Sequence, residues 1–254
     1  ALGRITGERR MDELDFHLRL HRPGTLVDIG AHDGLLTLPF ARLPSSRVHA
    51  FEPLPSAHAR LEAALRAEVG GVPPHVVLHA AALGDRRGRI ALTMPIVDGA
   101  PQEQWASTAK DYRAHLSARV ETTRFEVEMV ALDDLGLCDV TAIKLDAEGA
   151  EYEILRGARE TLLRCRPVLS LEIEERHREG STWAVPAYLD ALGYDTLFEL
   201  DGALRPVSAF DRATMQVASG DPSVFAASDP YVFVFYALPR EGYDDMLRRL
   251  EATG

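Results

Sequence analysis

The stretch Thr25-Leu26-Val27-Asp28-Ile29-Gly30-Ala31-His32-Asp33-Gly34 decides the fold, because an apolar, β-prone run passes through an acid into a glycine turn. This pattern predicts a strand that ends in a tight turn and leads into a helix, as in the nucleotide-binding units of α/β proteins. Gly30 can adopt a positive φ and lets a ligand approach the backbone, while Gly34 permits close packing of the helix on the strand. The turn is therefore predicted to bind a ligand.

A second acid lies at an informative distance from this turn. Glu52 ends the next β-like run, residues 48–51, and follows Gly30 by 22 positions. Nucleotide-binding α/β proteins place the carboxylate that binds ribose hydroxyls at about this spacing. The ligand is therefore expected to contain a ribose.

The glycine spacing argues against two classes of ribose-containing ligand, the dinucleotides and the nucleoside triphosphates. A dinucleotide fingerprint needs glycine where this chain has His32, and the lysine of a P-loop is missing. S-adenosylmethionine carries a ribose, an adenine and an amino-acid tail without a phosphate, so it fits the remaining pattern. The alternative is that the glycines form a structural turn only.

Composition favours one soluble globular domain spanning residues 1–254, since 46% of residues are hydrophobic and 26% are charged. The formal net charge of -11 argues against nucleic-acid and anionic-membrane partners. Cys138 and Cys165 are not in a metal-binding or C-x-x-C spacing. With no secretory leader and no apolar run of membrane-spanning length, we expect a cytoplasmic protein.

Periodicity predicts alternating helices and strands along the chain. We expect a helix over residues 8–20 within an N-terminal helical segment (1–24), and one over 35–43 with Pro39 in its first turn. Ser56 is a candidate N-cap for a helix over 57–69 that Gly70 stops. The later predicted helices cover residues 152–165 and 186–192, and the later strands cover 76–78, 89–94, 125–130, 142–145, 168–173, 196–200 and 231–236.

These elements predict a sheet of seven main strands with helices on both faces. The first five strands alternate with helical segments and should be parallel, whereas the last two should form an antiparallel pair. Residues 95–124 interrupt the rhythm around Trp105. This insertion is either a lid or acceptor loop or a surface excursion without function.

Several segments together resemble the FkbM-type S-adenosylmethionine-dependent methyltransferases. The matching segments are residues 27–34 (VDIGAHDG), 50–53 (AFEP), 81–85 (AALGD), 143–151 (IKLDAEGAE), 155–158 (LRGA), 166–167 (RP) and 171–173 (LEI). The resemblance implies a Rossmann-like class I methyltransferase fold and an acceptor hydroxyl on a saccharide or another metabolite. The chain departs from the family pattern at His32, where the family usually has Asn.

The resemblance also implies roles for individual residues. The methionine part of the donor would be lined by Asp28, Gly30 and Gly34, and Ala31 and His32 would also bind the donor. Glu52 would hold the ribose, and Ala82 would border the adenine. Asp146, at the end of the fourth strand, would point at the methyl group and the acceptor; the alternative is that it caps the helix starting near Ala150.

Transfer to a hydroxyl needs a group that takes its proton. Asp146, Glu172 and Glu174 are the predicted catalytic acids, since the two glutamates alternate along strand five and should share one face of the sheet. They would act as a general base or as ligands of Mg²⁺ that acidifies the hydroxyl, unless Glu174 belongs to a solvated strand end. Further candidates are Glu148, His177 and His32. Lys144 is expected to pair with a strand-end acid such as Glu172.

Two functions therefore compete at this stage. One is an S-adenosylmethionine-dependent O-methyltransferase for a hydroxylated small molecule, most readily a saccharide. The other is a protein that binds S-adenosylmethionine or another adenosine ligand without catalysis. A nicotinamide-dependent oxidoreductase is disfavoured by His32 in the fingerprint. The acceptor, metal dependence and oligomeric state, a homodimer included, stay open.

Overall fold

The computed structural model describes residues 11–97, 99–102, 106, 121–217 and 231–252. Its strands are β1 (Gly24–Ile29), β2 (Ser46–Phe51), β3 (Val76–His79), β4 (Ala81–Leu83), β5 (Gly88–Val97), β6 (Ala100–Pro101), β7 (Glu121–Val130), β8 (Val140–Leu145), β9 (Val168–Glu172), β10 (Tyr194–Leu200), β11 (Ala203–Pro206) and β12 (Val234–Pro239). Its helices are α1 (Glu13–Arg19), α2 (Thr37–Phe40), α3 (Pro55–Val69), α4 (Glu151–Gly157), α5 (Arg159–Cys165), α6 (Ser181–Ala191), α7 (Arg212–Met215) and α8 (Tyr243–Glu251).

The main sheet has eight strands in the order β11-β10-β12-β9-β8-β1-β2-β3. Strands β3, β2, β1, β8 and β9 run parallel, as predicted for the first five main strands. Strand β12 lies antiparallel between β9 and β10, which confirms the antiparallel last pair. The carboxyl ends of the parallel strands therefore meet at one edge, where open α/β sheets bind their ligands.

Hydrophobic cores lie on both faces of this sheet because side chains alternate along each strand. Val27 belongs to the core that α4, α5 and α6 cover, whereas its neighbour Leu26 belongs to the core beneath α1, α2, α3 and α8. Both side chains are buried. The predicted layers, with helices on either side of the sheet, are thus confirmed.

A second sheet, in the order β4-β7-β5-β6, packs beside the main one. Strands β5 and β7, which flank the insertion, form a long antiparallel pair. A small core of Leu54, Ala57, Leu92 and Val127 joins this sheet to the start of α3. Trp105 and most of the predicted lid lie outside the described residues, so the lid remains a prediction.

Several helix boundaries differ from the predictions. Ser56 is not the N-cap of α3: Leu54 is extended at that position, and Pro55 begins the helix where its missing N–H costs nothing. The helix predicted over 152–165 is divided in two at Ala158, next to Gly157, whose approach to the Gly84 carbonyl leaves no room for a Cβ. Helix α2 is a single turn with Pro39 inside that turn.

The C-terminal part also differs from the prediction. The eighth strand, β11, was missed; it is a short edge strand that pairs antiparallel with β10. The final strand runs over β12 rather than 231–236, and α6 begins at Ser181, five residues before the predicted start at Pro186. None of the helices in the described part of the chain is both long and apolar enough to cross a bilayer.

Candidate active site

A cavity of about 490 Å³ opens at the carboxyl ends of the parallel strands. Its wall combines the ends of β1, β2, β8 and β9 with α1 and the second sheet. The residues that line it are Glu13, Asp28, Ile29, Gly30, Ala31, His32, Asp33, Leu35, Leu36, Phe51, Glu52, Pro53, Leu54, Ala81, Ala82, Leu83, Leu92, Ala106, Lys144, Asp146, Ala147, Glu148, Ala150, Ile154 and Glu172. Most of the predicted site residues therefore lie in one cavity, whose volume suits a small-molecule ligand.

The turn after β1 is held by its neighbours on both sides. The N–H groups of Gly30 and Ala31 both donate to the Phe51 carbonyl at 3.0 Å, and Gly30 has a φ of 73°. A Cβ on Gly30 would overlap the carbonyl oxygen of Asp146. The predicted positive φ of Gly30 is thus confirmed, and the structure adds a second reason for the glycine: it lets β1 and β8 close on each other beside the cavity.

His32 follows in the left-handed region, with a φ of 44° that side chains rarely adopt. Its N–H donates to Oε2 of Glu52 at 3.0 Å, and its ring lies 3.3 Å from the Asp33 carboxylate. The carboxylate of Glu52 also accepts the N–H of Leu54 at 2.9 Å. Burial raises the pKa of Glu52, while these two N–H groups oppose the rise.

Glu52 is thus fixed by two backbone bonds, one from the turn after β1 and one from its own loop. Its carboxylate lines the cavity, and each oxygen retains a lone pair for a ligand. This is the geometry expected of an acid that accepts hydrogen bonds from the two hydroxyls of a ribose.

The ammonium of Lys144 lies at the centre of the cavity floor. It donates to the carbonyl of Gly30 at 2.7 Å and is 3.7 Å from Asp28 Oδ1 and 3.6 Å from Asp146 Oδ2. Burial alone would lower the pKa of Lys144, but Asp146, Asp28 and Glu13 outweigh it and raise that pKa above the ordinary value. The predicted ion pair exists, although its distances connect Lys144 to Asp28 and Asp146 rather than to Glu172.

Asp28 is fully buried beneath this floor. Its Oδ2 accepts the hydroxyl of Thr37 at 2.6 Å, whereas Oδ1 has no hydrogen-bond partner among the described residues. Oδ1 is itself buried, and the Lys144 ammonium lies 3.7 Å from it. Such an orphaned acceptor is costly unless a ligand, a water or the nearby Lys144 compensates it.

The loop after β8 contributes two acids, Asp146 and Glu148, to the cavity wall. Glu148 lines the cavity with a φ of 52°, a strained conformation for this residue. Glu151 holds the loop, since its carboxylate accepts the N–H of Gly149 at 2.9 Å. Asp146 does not cap α4, because Ala150 is the N-cap and makes no side-chain capping bond. The alternative role of Asp146 as a helix cap is thereby excluded.

Glu172 and Glu174 do not share the cavity as predicted. Strand β9 ends at Glu172, which lines the cavity, and the chain then turns so that the Glu174 carboxylate pairs with Arg176 at 2.6 Å. Glu174 is buried there, 3.2 Å from the ring of His177, so it is not a solvated strand end either. Glu174 is therefore not among the acids that face the ligand.

The predicted metal set of Asp146, Glu172 and Glu174 is likewise not assembled. Within the described ranges, no three His, Cys, Asp or Glu side chains have the spacing of a metal site. The physical reason is that Glu174 turns away to Arg176 and that the ammonium of Lys144 lies against Asp146. The arrangement gives a Mg²⁺ cage no support.

Two further placements refine the predicted donor site. Gly34 does not line the cavity; a Cβ there would lie 2.7 Å from Leu61 Cδ1, so the glycine serves the close packing that its position indicated. Ala82 does line the cavity, together with Leu83 and Leu92, on the side where β4 follows β3. These residues form an apolar wall that suits a flat aromatic base.

Glu13 and Asp33 are polar residues of the wall that the sequence pattern did not predict. Glu13, in the first turn of α1, lines the cavity, and its Oε1 is buried without a hydrogen-bond partner in the described structure. Helical spacing predicted that α1 would pack on the sheet, and it does pack on β9. No sequence pattern indicated which of its acids would face the ligand.

Comparison with known proteins shows the family of this chain. The family model described as "Methyltransferase FkbM domain" matches residues 28–196, which is more than half of the chain. The 2-O-methyltransferase NoeI of Sinorhizobium fredii (strain NBRC 101917 / NGR234) is 31% identical over 185 residues, covering 68% of this chain and 73% of that protein.

A solved structure gives the same fold. The crystal structure of methyltransferase FkbM from Methylobacillus flagellatus KT matches with a TM-score of 0.56 at 18% identity, over 91% of this chain and 48% of that one. This chain therefore spans about half the length of that protein, and the likeness shows the fold alone. With the family model covering both strand ends that carry Asp28 and Asp146, the chain belongs to the FkbM methyltransferase family.

Proposed function

We propose that this protein transfers a methyl group from S-adenosylmethionine to a hydroxyl of a small polyol, most readily a saccharide. One observation carries the proposal. The described wall of the cavity contains seven carboxylates, from Glu13, Asp28, Asp33, Glu52, Asp146, Glu148 and Glu172, against one lysine that is already engaged by acids. Such a wall repels phosphates and attracts cations.

The charge of the wall distinguishes between ribose ligands. A nicotinamide dinucleotide would bring its diphosphate into this acidic cavity with no free cation among the described wall residues to neutralise it. S-adenosylmethionine instead carries a sulfonium and an ammonium against one carboxylate. The cavity thus fits that donor, which supplies an electrophilic methyl group when bound.

The chain offers a partner for each part of the donor. Glu52 is positioned to accept hydrogen bonds from the ribose hydroxyls, and the wall around Ala82 and Leu83 to cover the adenine. Asp28 lines the cavity beside Gly30, and its negative charge would attract the ammonium of the methionine part. These assignments retain the residues predicted from the sequence except Gly34.

The acceptor side lies toward β8 and β9. Asp146, Glu148 and Glu172 line it, and their carboxylate oxygens suit the many hydroxyl donors of a sugar. Burial, followed by the charge of Asp146, raises the pKa of Glu172 well above the ordinary value. Glu172 is therefore a stronger base than an exposed carboxylate and is the group we assign to take the hydroxyl proton.

The relatives support oxygen as the atom that accepts the methyl group. The family is one of methyltransferases, and the name of the 31% identical relative states transfer to an oxygen. The saccharide class rests on the family resemblance and on the polar acceptor side. The same carboxylates could also accept a proton from an amine, so an experiment must distinguish transfer to oxygen from transfer to nitrogen.

The donor assignment is tested by calorimetry with S-adenosylmethionine, S-adenosylhomocysteine and NAD. We expect the first two to bind and NAD not to bind. Glu52→Gln should weaken S-adenosylhomocysteine binding by about 1.5–3 kcal/mol, roughly tenfold or more, because a charged acceptor is lost. Glu62→Gln on the exposed side of α3 is the matched control and should bind like the wild type. Tight NAD binding with no S-adenosylhomocysteine binding would refute the donor.

The transfer is tested by incubating the protein with methyl-labelled donor and a panel of sugars, phenols, amines and nucleic acids. Label on a sugar that is lost in Glu172→Gln is the expected result. Donor binding without transfer to any acceptor would instead favour a non-catalytic binding protein. Wild-type turnover in an Asp146→Ala, Glu172→Ala double mutant would exclude the proposed base.

A further inference from the structure

Helix α1 lies outside the segment that matches the family model, yet it contributes Glu13 to the cavity. The carboxyl of Glu13 lies against the Ser170 hydroxyl on β9, beside the strand end that carries Glu172. Its buried Oε1 has no hydrogen-bond partner in the described part of the chain. Burying an unpaired carboxylate oxygen is unfavourable, so this group needs a proton or a cationic neighbour.

The charges around Glu13 do not balance when all acids are ionised. Asp28 from β1, Asp146 from the loop after β8, and Glu172 from β9 face the same floor, and Lys144 is the single described cation there. His17, one turn further along α1, cannot help, because burial lowers its pKa to about 3 and its ring instead bonds Ser170 at 2.9 Å. Glu174, which follows β9, forms an ion pair with Arg176.

The two glutamates are the acids most easily neutralised. Asp28 and Asp146 lie within 3.7 Å of the Lys144 ammonium, which compensates their negative charges. Burial raises the pKa of Glu13, and burial followed by the charges of Asp146 and Glu13 raises that of Glu172. Both glutamates line the same cavity, and two carboxyls that lie in one site short of cations commonly share one proton.

We propose that Glu13 and Glu172 form a carboxyl pair that holds one proton in the free cavity and releases it when a cationic methyl donor binds. Glu13 is then a positioning residue of the reaction: it keeps Glu172 protonated until the donor is present. The inference rests on the proposed donor, and it adds a residue that lies outside the matched family domain.

The proton balance closes over one turnover. The pair loses a proton to solvent on donor binding, which leaves Glu172 ionised and able to accept the hydroxyl proton. In the transfer, the bond between sulfur and methyl breaks, a bond between oxygen and methyl forms, and the hydroxyl proton moves to the pair. The sulfonium becomes a neutral thioether, so the pair regains the protonation that it had before the donor bound.

This balance predicts that the donor and its demethylated product differ in proton release. We expect S-adenosylmethionine to release close to one proton at pH 7 and S-adenosylhomocysteine much less. Calorimetry in two buffers of different ionisation enthalpy measures both values. In Glu13→Gln, the release on S-adenosylmethionine binding should fall by at least half, because Glu172 alone ionises more readily beside Lys144.

Asp15→Asn is the matched control, since Asp15 is the other acid in the first turn of α1 and does not line the cavity. It should release protons like the wild type. Equal release for the two ligands in the wild type, or unchanged release in Glu13→Gln, would overturn the proposal. Because only donor binding is measured, failure to methylate a sugar hydroxyl would leave this result unaffected.

A second measurement tests the pair without any ligand. Infrared difference spectra between pH 7 and pH 9 detect the C=O stretch of protonated carboxyls. Glu151 contributes such a band in every variant, because burial raises its pKa to about 7. Glu13→Gln and Glu172→Gln should each remove the same additional intensity, whereas Asp15→Asn should keep it. Wild-type intensity in Glu13→Gln would show that Glu13 is not part of the pair.

Discussion

Gly30→Ala tests whether the cavity floor is built on close contact between β1 and β8. The alanine must adopt a φ near 73°, which costs roughly 1–2 kcal/mol for a residue with a Cβ. Its Cβ would also overlap the Asp146 carbonyl oxygen, and forcing extra atoms into a packed site costs about 1–3 kcal/mol more. We therefore expect a total loss of roughly 2–5 kcal/mol.

Gly70→Ala is the matched control, because Gly70 has a φ of 80° and an added Cβ would meet no atom within 4 Å. It should lose only the conformational part, roughly 1–2 kcal/mol. Equilibrium urea unfolding measures both losses as shifts of the midpoint at constant slope. The collision in Gly30→Ala also displaces Asp146, so S-adenosylhomocysteine binding should weaken there and be unchanged in Gly70→Ala. Equal stability losses in the two variants would refute the close-contact explanation.

Three predictions concern buried charges. Burial raises the pKa of Glu151 to about 7, so the folded state holds this proton more tightly than the unfolded state does. Roughly 3 kcal/mol of stability is therefore lost as pH rises from 4.5 through 7. Glu151→Gln should abolish this loss in urea titrations. His17 behaves oppositely, because burial lowers its pKa to about 3. About 2 kcal/mol of stability is therefore lost as pH falls from 6.5 to 5. His17→Gln should keep its stability over that range. Lys144→Met should cost about 3–5 kcal/mol because it leaves Asp28 and Asp146 without their cationic partner, whereas the exposed Arg66→Met should unfold like the wild type; equal urea midpoints for the two variants would contradict the ion cluster.

Much of the fold was predictable because it depends on local periodicity. The apolar run around Val27, the glycine turn and the alternation of strands with helices define the parallel half of the sheet. The elements that were missed depend on tertiary contacts. Strand β11 is a four-residue edge strand that ends in Pro206, and Gly157, where α4 ends, lies against the Gly84 carbonyl of a distant segment.

The candidate site also contains residues that local sequence patterns predicted and residues that they did not. Glu52 and Asp146 were predicted because each ends a strand of the parallel sheet, and strand ends meet at one edge. Glu174 was assigned to the cavity by strand alternation, which fails once β9 ends at Glu172 and the chain turns toward Arg176. Glu13 had no comparable signal, because a helix period does not say which polar side chain will meet a cavity formed by distant strands.

The most direct test of the proposed function is an NMR measurement of where the methyl group goes. The protein is incubated with S-adenosylmethionine labelled with ¹³C in its methyl group and with the sugar that accepts label best. We predict a new ¹³C methyl signal with the chemical shift of a methyl ether, correlated to a proton of the sugar ring. A methyl signal on nitrogen, or no transferred methyl while the donor is shown to be bound, would contradict the proposed O-methyltransferase.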